Sequence, residues 1–217
     1  MDMILLYSSN GIVILGFILY LLLIIVCSRK NVSKDSGFDI TKDIISEYNS
    51  INVIESKSYF SIYNIKRRVI KLSSRCYYGR DLSSISLSLI EAGISIVDNN
   101  KNKYIDLFRN VFSNLKMLYV FGLVSIFINN SSFNVSDAKV SMIFMLIFIL
   151  ISYILLDIKS DGCNYISNKL EKIKDMSVDN VDKVISFMNK FLWCDKLIYY
   201  GEVLMVVRMV LIMFELI

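Results

Sequence analysis

The sequence predicts an α-helical integral membrane protein with a small cytoplasmic α+β core. Three observations carry this expectation. Apolar residues make up 55% of the 217 positions, above the roughly 45–50% of soluble domains. The excess is gathered into blocks instead of being spread along the chain. Between the blocks lie polar stretches with short β-branched runs and helical spacings, the composition of a folded domain and not of a linker.

The first block, Gly11 to Cys27, reads GIVILGFILYLLLIIVC without a charge, and Met3 to Tyr7 extends it upstream. About 20 apolar residues in helical form cross a bilayer. The start has no Lys or Arg and no small-residue cleavage site, so an uncleaved anchor over 3–27 is expected instead of a signal peptide. Arg29, Lys30, Lys34 and Lys42 follow, whereas only Asp2 precedes. The positive-inside rule therefore puts the N-terminus outside and the next region in the cytoplasm. Lys101, Lys103, Arg109 and Lys116 agree.

Residues 28–116 are expected to form the soluble core. Ile40 to Tyr48 has the spacing of a short amphipathic helix, with Thr41 or Asp39 near its cap. Ile51 to Ile54 and Val69 to Leu72 are β-branched runs that suit strands of a small sheet or a hairpin. Between Leu82 and Val97, Leu82, Ile85, Leu89 and Ile96 recur at helical spacing and predict a helix packed in a core. Met117 to Phe133 and Val140 to Leu156 predict a transmembrane hairpin over 117–156, its polar turn at Asn129 to Lys139 lying outside. Residues 157–196 return as charged cytoplasmic helical segments. Residues 197–217, interrupted by Arg208 and Glu215, form a last transmembrane or interfacial segment. The expected location is the cell membrane, multi-pass, with the lipid bilayer as surroundings.

Several function classes are excluded by residue type. The chain has no histidine, so it holds no Ser-His-Asp triad, no Cys-His dyad and no His-ligated metal. Cys27, Cys76, Cys163 and Cys194 form no Cys-x-x-Cys pair and read as reduced, mostly buried thiols. A net charge of +4 without a long basic run argues against a nucleic-acid partner. Asp157, Asp161 and Asp175 have the chemistry for a hard cation, but their spacing matches no calcium loop. Glu202 and Arg208 lie in or beside the last apolar segment, six residues apart and off one helix face.

The stretch Ser61 to Asp98, SIYNIKRRVIKLSSRCYYGRDLSSISLSLIEAGISIVD, resembles the bacterial neutral membrane zinc metallopeptidases of the YugP type. That family carries Y-D-P-x-x-K-V-V-R-L-S, then V-Y-x-G, then A-A-H-E-V-G-H-A-I-Q-D. Tyr63, Asn64, Arg68, Val69, Ile70, Lys71, Leu72 and Ser73 follow the first pattern, with Ile65 in place of its proline. Cys76, Tyr77, Tyr78 and Gly79 follow the second, Gly79 permitting the turn. Glu91, Gly93, Ile96 and Asp98 stand in ungapped register with the third. The order of anchor, core, hairpin, helical return and apolar end also matches.

The resemblance implies a zinc site that this chain has lost. In an HExxH helix two histidines at i and i+4 reach the metal, and the glutamate between them polarises water. Here Ile90 and Ile94 occupy the histidine positions. The family's third ligand, a glutamate soon after the third span, aligns with Lys159. Glu91 then remains as the remnant of the general base. It either faces water on the helix edge or pairs with Lys159 where the metal would sit. The expected fold is an α-helical membrane protein whose core carries a degenerate zincin-like metal helix. The expected metal and cofactor are none, although the family would imply zinc. Three functions follow: an inactive homologue binding a membrane protein partner or an active paralogue, a peptidase with borrowed ligands, or a structural membrane protein.

Overall fold

The computed structural model describes residues 2–28, 31–48, 50–64, 67–100, 135–170 and 177–213. The second apolar block, Met117 to Phe133, lies outside them.

Capping chemistry sets several boundaries. Ser36 closes a capping box with Asp39: the Asp39 amide donates to Ser36 Oγ at 3.2 Å and the Ser36 amide donates to Asp39 Oδ2 at 3.1 Å. These two bonds satisfy helix-end donors reciprocally. Helix α2 therefore runs Gly37–Ile45, beginning earlier than the spacing of Ile40 to Tyr48 indicates. Thr41, expected near the cap, is a fully buried residue inside the helix. Asp81 plays the same part for the helix that carries the candidate site. Its Oδ1 accepts from the Ser84 amide at 3.0 Å, and its two oxygens accept from the Ser83 and Ser84 hydroxyls at 2.6 Å each.

Strands β1 (Asn52–Ser56), β2 (Ile62–Asn64) and β3 (Val69–Ser73) form one sheet in the order β1-β3-β2. The two β-branched runs seen in the sequence are not a hairpin with each other. They pair in parallel, Val53 beside Ile70, while β2 pairs antiparallel with β3, Tyr63 beside Ile70. Strand β2 escaped the sequence because it has only three residues. Arg68 closes the β2–β3 connection at φ 50°, the left-handed region that L-residues rarely adopt. Its carbonyl accepts the Asn52 amide at 3.0 Å.

Helix α3 (Ser74–Tyr78) follows β3 directly and leads through Gly79 into α4 (Leu82–Asn100). Gly79 has an extended backbone, φ −70° and ψ 142°, so the reason for glycine is space and not torsional freedom. A Cβ there would lie 2.3 Å from the Arg75 carbonyl and 2.5 Å from Ser84 Oγ. The remaining helices are long: α1 (Asp2–Cys27), α5 (Val135–Leu170) and α6 (Val178–Met213). Helix α5 begins within the polar stretch Asn129 to Lys139, so Val135 to Lys139 is helix and not turn. It then continues through Leu156 without a break, as α6 does through residue 197.

The chain divides into two compact units. One gathers residues from Leu19–Asp106 and Leu156–Trp193, the other from Met1–Ile18, Leu107–Leu155 and Cys194–Ile217. In the first, the inner sheet face (Ile70, Leu72, Tyr63) and Ile40 and Ile44 of α2 join Ile85, Leu89 and Ile96 of α4 in one core. Ile166 and Leu170 of α5 and Val184, Phe187 and Phe191 of α6 complete it. The end of α2 is tied to α5 by a Tyr48–Tyr165 hydroxyl bond of 2.9 Å and by Lys169, which donates to the Ile44 carbonyl and pairs with Glu47, both at 2.9 Å. In the second unit α1 and α6 run antiparallel. A Cβ on Gly201 would lie 2.4 Å from a Val13 methyl and 3.0 Å from the Ser9 carbonyl. One on Gly16 would lie 2.7 Å from Ile198. Glycine at both points lets the helices approach closely, as small residues do between membrane helices.

Among the described residues one helix, α1 over Tyr7–Cys27, is long and apolar enough to cross a membrane; only 6% of its most apolar stretch is buried within the protein. The structure is thus mostly helical with a small three-stranded sheet and one such helix near the N-terminus. None of the four cysteines forms a disulfide, and three of them are buried.

Candidate functional site

The positions singled out in the sequence lie on α4 and α5. Helix α4 is unusual for its serines: Ser83, Ser84, Ser86, Ser88 and Ser95 are all fully buried. Several bind the chain's own backbone. Ser88 donates to the Ser84 carbonyl at 2.8 Å and Ser95 to the Ala92 carbonyl at 2.7 Å. Such back-bonding satisfies a hydroxyl within its own helix, Ser88 also reaching the Cys76 carbonyl of α3 at 3.3 Å, and side chains this small let neighbours pack close to the helix.

One of these neighbours is α5. Gly93 and Gly162 meet backbone to backbone: a Cβ on Gly93 would stand 2.6 Å from the Gly162 carbonyl oxygen, and one on Gly162 would stand 2.6 Å from the Gly93 carbonyl carbon. No side chain can be placed at either position without moving a helix. Glu91 is two residues before Gly93, and Lys159 is three before Gly162. Both therefore lie within one helical turn of the crossing. Lys159 thus stands on α5 beside the same crossing as Ile90, Glu91 and Ile94 on α4.

Each residue has a defined surrounding. Ile90 is 2% exposed and belongs to the core, and Ile94 is partly buried against it. Glu91 is half-buried. Its Oε2 accepts the main-chain amide of Tyr63 at 2.7 Å, a charge-assisted bond that ties β2 to α4. It is thus neither fully exposed nor sealed in the core. Lys159 is half-buried, with its Nζ 4.8 Å from the centroid of the Phe191 ring. That ring lies between Tyr20 and Phe187, at centroid distances of 4.3 and 5.9 Å. A cation over an aromatic face is attracted by the ring quadrupole, which gives Lys159 a partly apolar seat.

This donor set does not fit zinc. Two isoleucines offer hydrocarbon and a lysine offers an ammonium group that donates but does not accept. Among the described residues no three His, Cys, Asp or Glu side chains converge as a metal site. Asp157 is exposed and Asp161 half-buried, while Asp175 lies outside the described residues. In the second unit Glu202 is buried and Arg208 half-buried.

Three participants escaped sequence reasoning. Tyr63 acts through its amide, which no residue type reveals. Phe191 is distant in sequence and looks like any core aromatic. Gly162 did leave a signal, as a lone glycine in the charged stretch DIKSDGCNY, but its meaning needed Gly93 opposite. Set beside protein-family models, curated proteins and solved structures, the chain shows no significant match to any.

Proposed function

We propose that the chain is a multi-pass membrane pseudoenzyme, a degenerate relative of the membrane zinc metallopeptidases that acts by binding a membrane protein partner. In this reading α1 anchors a cytoplasmic core, and the segment of α6 that packs on α1 through Gly16 and Gly201 also lies in the bilayer. The metal site is replaced by hydrocarbon at Ile90 and Ile94 and by an ion pair between Glu91 and Lys159.

The observation that supports it best is the treatment of the former ligand positions. Ile90 is sealed in the core, and Glu91, the residue that would polarise water, has an oxygen committed to the Tyr63 amide. Without a Lewis acid, water is not acidified towards neutrality, so the remnant carboxylate lacks the means to act as a peptidase base. A scaffold retained without its chemistry suits recognition.

Metal content of detergent-purified protein tests this reading, measured beside the variant Ile90→His, Ile94→His, Lys159→Glu. The expected result is no stoichiometric zinc in the natural chain and a gain of zinc in the variant. Zinc near one per chain in the natural protein would refute the dead-enzyme reading. The ion pair has its own test: Lys159→Met should destabilise more than Lys159→Met combined with Glu91→Leu, because removing one partner leaves the other charge without compensation. Additive losses would dismiss the pair.

A further inference from the structure

The two faces of the sheet differ in kind. Strand register puts Val53, Ile70 and Tyr63 in one row of the inner face and Glu55 with Leu72 in the next. That face is covered by the core at Tyr63, Ile70 and Leu72, while Glu55 at its margin is exposed. On the outer face one row is Asn52, Val69 and Asn64, and the next is Ile54, Lys71 and Ile62. Ile54 and Ile62 are 44% and 56% exposed on either side of the lysine. The connection from β1 to β2 adds Tyr59 and Phe60, 96% and 65% exposed. Exposed Lys57 stands beside them, and Arg67 and Arg68 stand exposed at the other end of β2. No Asp or Glu occupies the outer rows. Two carboxylates lie near the sheet and both are engaged: exposed Glu55, of the inner register, accepts from the Ser74 and Tyr78 hydroxyls at 2.7 and 2.9 Å, and Glu91 accepts the Tyr63 amide at the β2 edge.

We propose that this outer face docks on an anionic lipid surface. Tyr59 and Phe60 enter the interfacial zone, and Lys57, Arg67, Arg68 and Lys71 meet headgroup phosphates. Aromatic rings favour the level of the headgroups, where one side is apolar and the other wet. Basic residues gather at anionic leaflets through the surface potential. The central position of Lys71 selects lipid over protein. A lysine in the middle of an apolar row is disfavoured in a protein interface core, which is depleted of lysine. On a bilayer its stem covers the isoleucines while its ammonium group reaches outward to phosphate. The charge of the face is single-signed, which complements phosphate and not a mixed protein surface. An anchored core would also hold the face at high effective concentration beside the membrane. The proposal rests on the anchor in α1 and is independent of peptidase ancestry.

The test uses the full chain reconstituted in vesicles of phosphatidylcholine alone and of equal parts phosphatidylcholine and phosphatidylglycerol. Trp193 is the one tryptophan. With Trp193→Phe and Tyr59→Trp, emission reports on the loop alone, and the near-complete exposure of Tyr59 leaves the core undisturbed. The expected result is quenching by acyl-brominated lipid in the anionic vesicles, several-fold weaker in phosphatidylcholine and in the further variant Lys57→Glu, Lys71→Glu. A tryptophan open to acrylamide and blind to brominated lipid in anionic vesicles would overturn the proposal. So would equal quenching in both compositions, or shielding from acrylamide without lipid quenching, which would assign the face to protein. Release of the chain by alkaline wash would remove the anchor and this proposal with it, while leaving the zinc measurement to judge the ancestry.

Discussion

Helices α1 and α4 are both rich in large aliphatic residues and meet opposite surroundings. On α1, Ile14, Leu15, Phe17, Ile18, Leu21, Leu22, Ile25 and Val26 are exposed. On α4, Ile85, Leu89 and Ile96 are inaccessible, as are the serines between them. Apolar content alone does not distinguish a helix meant for protein from one meant for lipid. The small residues do. Helix α4 carries Ser83, Ser84, Ser86, Ser88, Gly93 and Ser95, which let a sheet and two helices come close. Helix α1 carries bulky residues around most of its circumference, and its glycine contact at Gly16 is local. Exposed aliphatic area in water is unfavourable, which supports the proposed place of α1 in the bilayer.

The sharpest way to test this contrast is to add bulk. Gly93→Val puts a side chain against the Gly162 backbone, which cannot give way, and should lower stability by about 3 kcal/mol or more. Gly11→Val on α1 meets nothing within 4 Å and should leave the melting temperature in detergent unchanged. Equal losses would erase the distinction between the helices. Removing bulk is the reciprocal test. Ile90→Ala should cost about 3 kcal/mol through lost burial and a cavity, whereas Ile14→Ala should stay within about 0.5 kcal/mol. Urea unfolding in micelles reads both.

Smaller effects concern how α2 is fastened within the α4 unit. The Tyr48 hydrogen bond raises the Tyr165 pKa to about 12, with burial adding to it. A group whose folded pKa is raised contributes stability that is complete below its unfolded value near 10 and lost as pH rises through about 12. Alkaline titration should therefore loosen α2 from α5 in that window, and Tyr165→Phe should remove this pH dependence. At the other end of α2, Ser36 holds the Asp39 carboxylate below its ordinary pKa through side-chain and then main-chain hydrogen bonds. That contribution is present above the unfolded value of about 3.8 and disappears as pH falls through the lower folded one. Ser36→Ala should cost about 1 kcal/mol at neutral pH and flatten the acid response. Both changes should leave α1 untouched, as amide exchange by region would reveal.

How far the site was legible depended on the kind of information involved. Ile90, Glu91 and Ile94 were singled out by the resemblance alone; their i, i+4 spacing by itself says only that they share a helix face. The glycine pair was half legible: Gly93 sits inside the motif, but Gly162 acquires its meaning only from the helix it touches. The Tyr63–Glu91 bond was invisible, because a main-chain amide is common to almost every residue. Strand β2 was missed since three residues carry too little periodicity to register.

From residue types alone came the apolar block of α1, the helix over Leu82 to Val97, the two longer strands, the mostly buried cysteines and the absence of any imidazole. These depend on local composition and on periods of two or 3.6 residues, which the chain carries wherever it is placed. The tertiary structure alone decided that β1 and β3 run parallel, that α5 crosses α4 at a pair of glycines, that Lys159 rests on Phe191, and that one sheet face packs on the core while the other leaves Ile54 and Ile62 exposed. Those outcomes depend on which distant surfaces fill one another's space, and packing between distant segments leaves no period in the sequence.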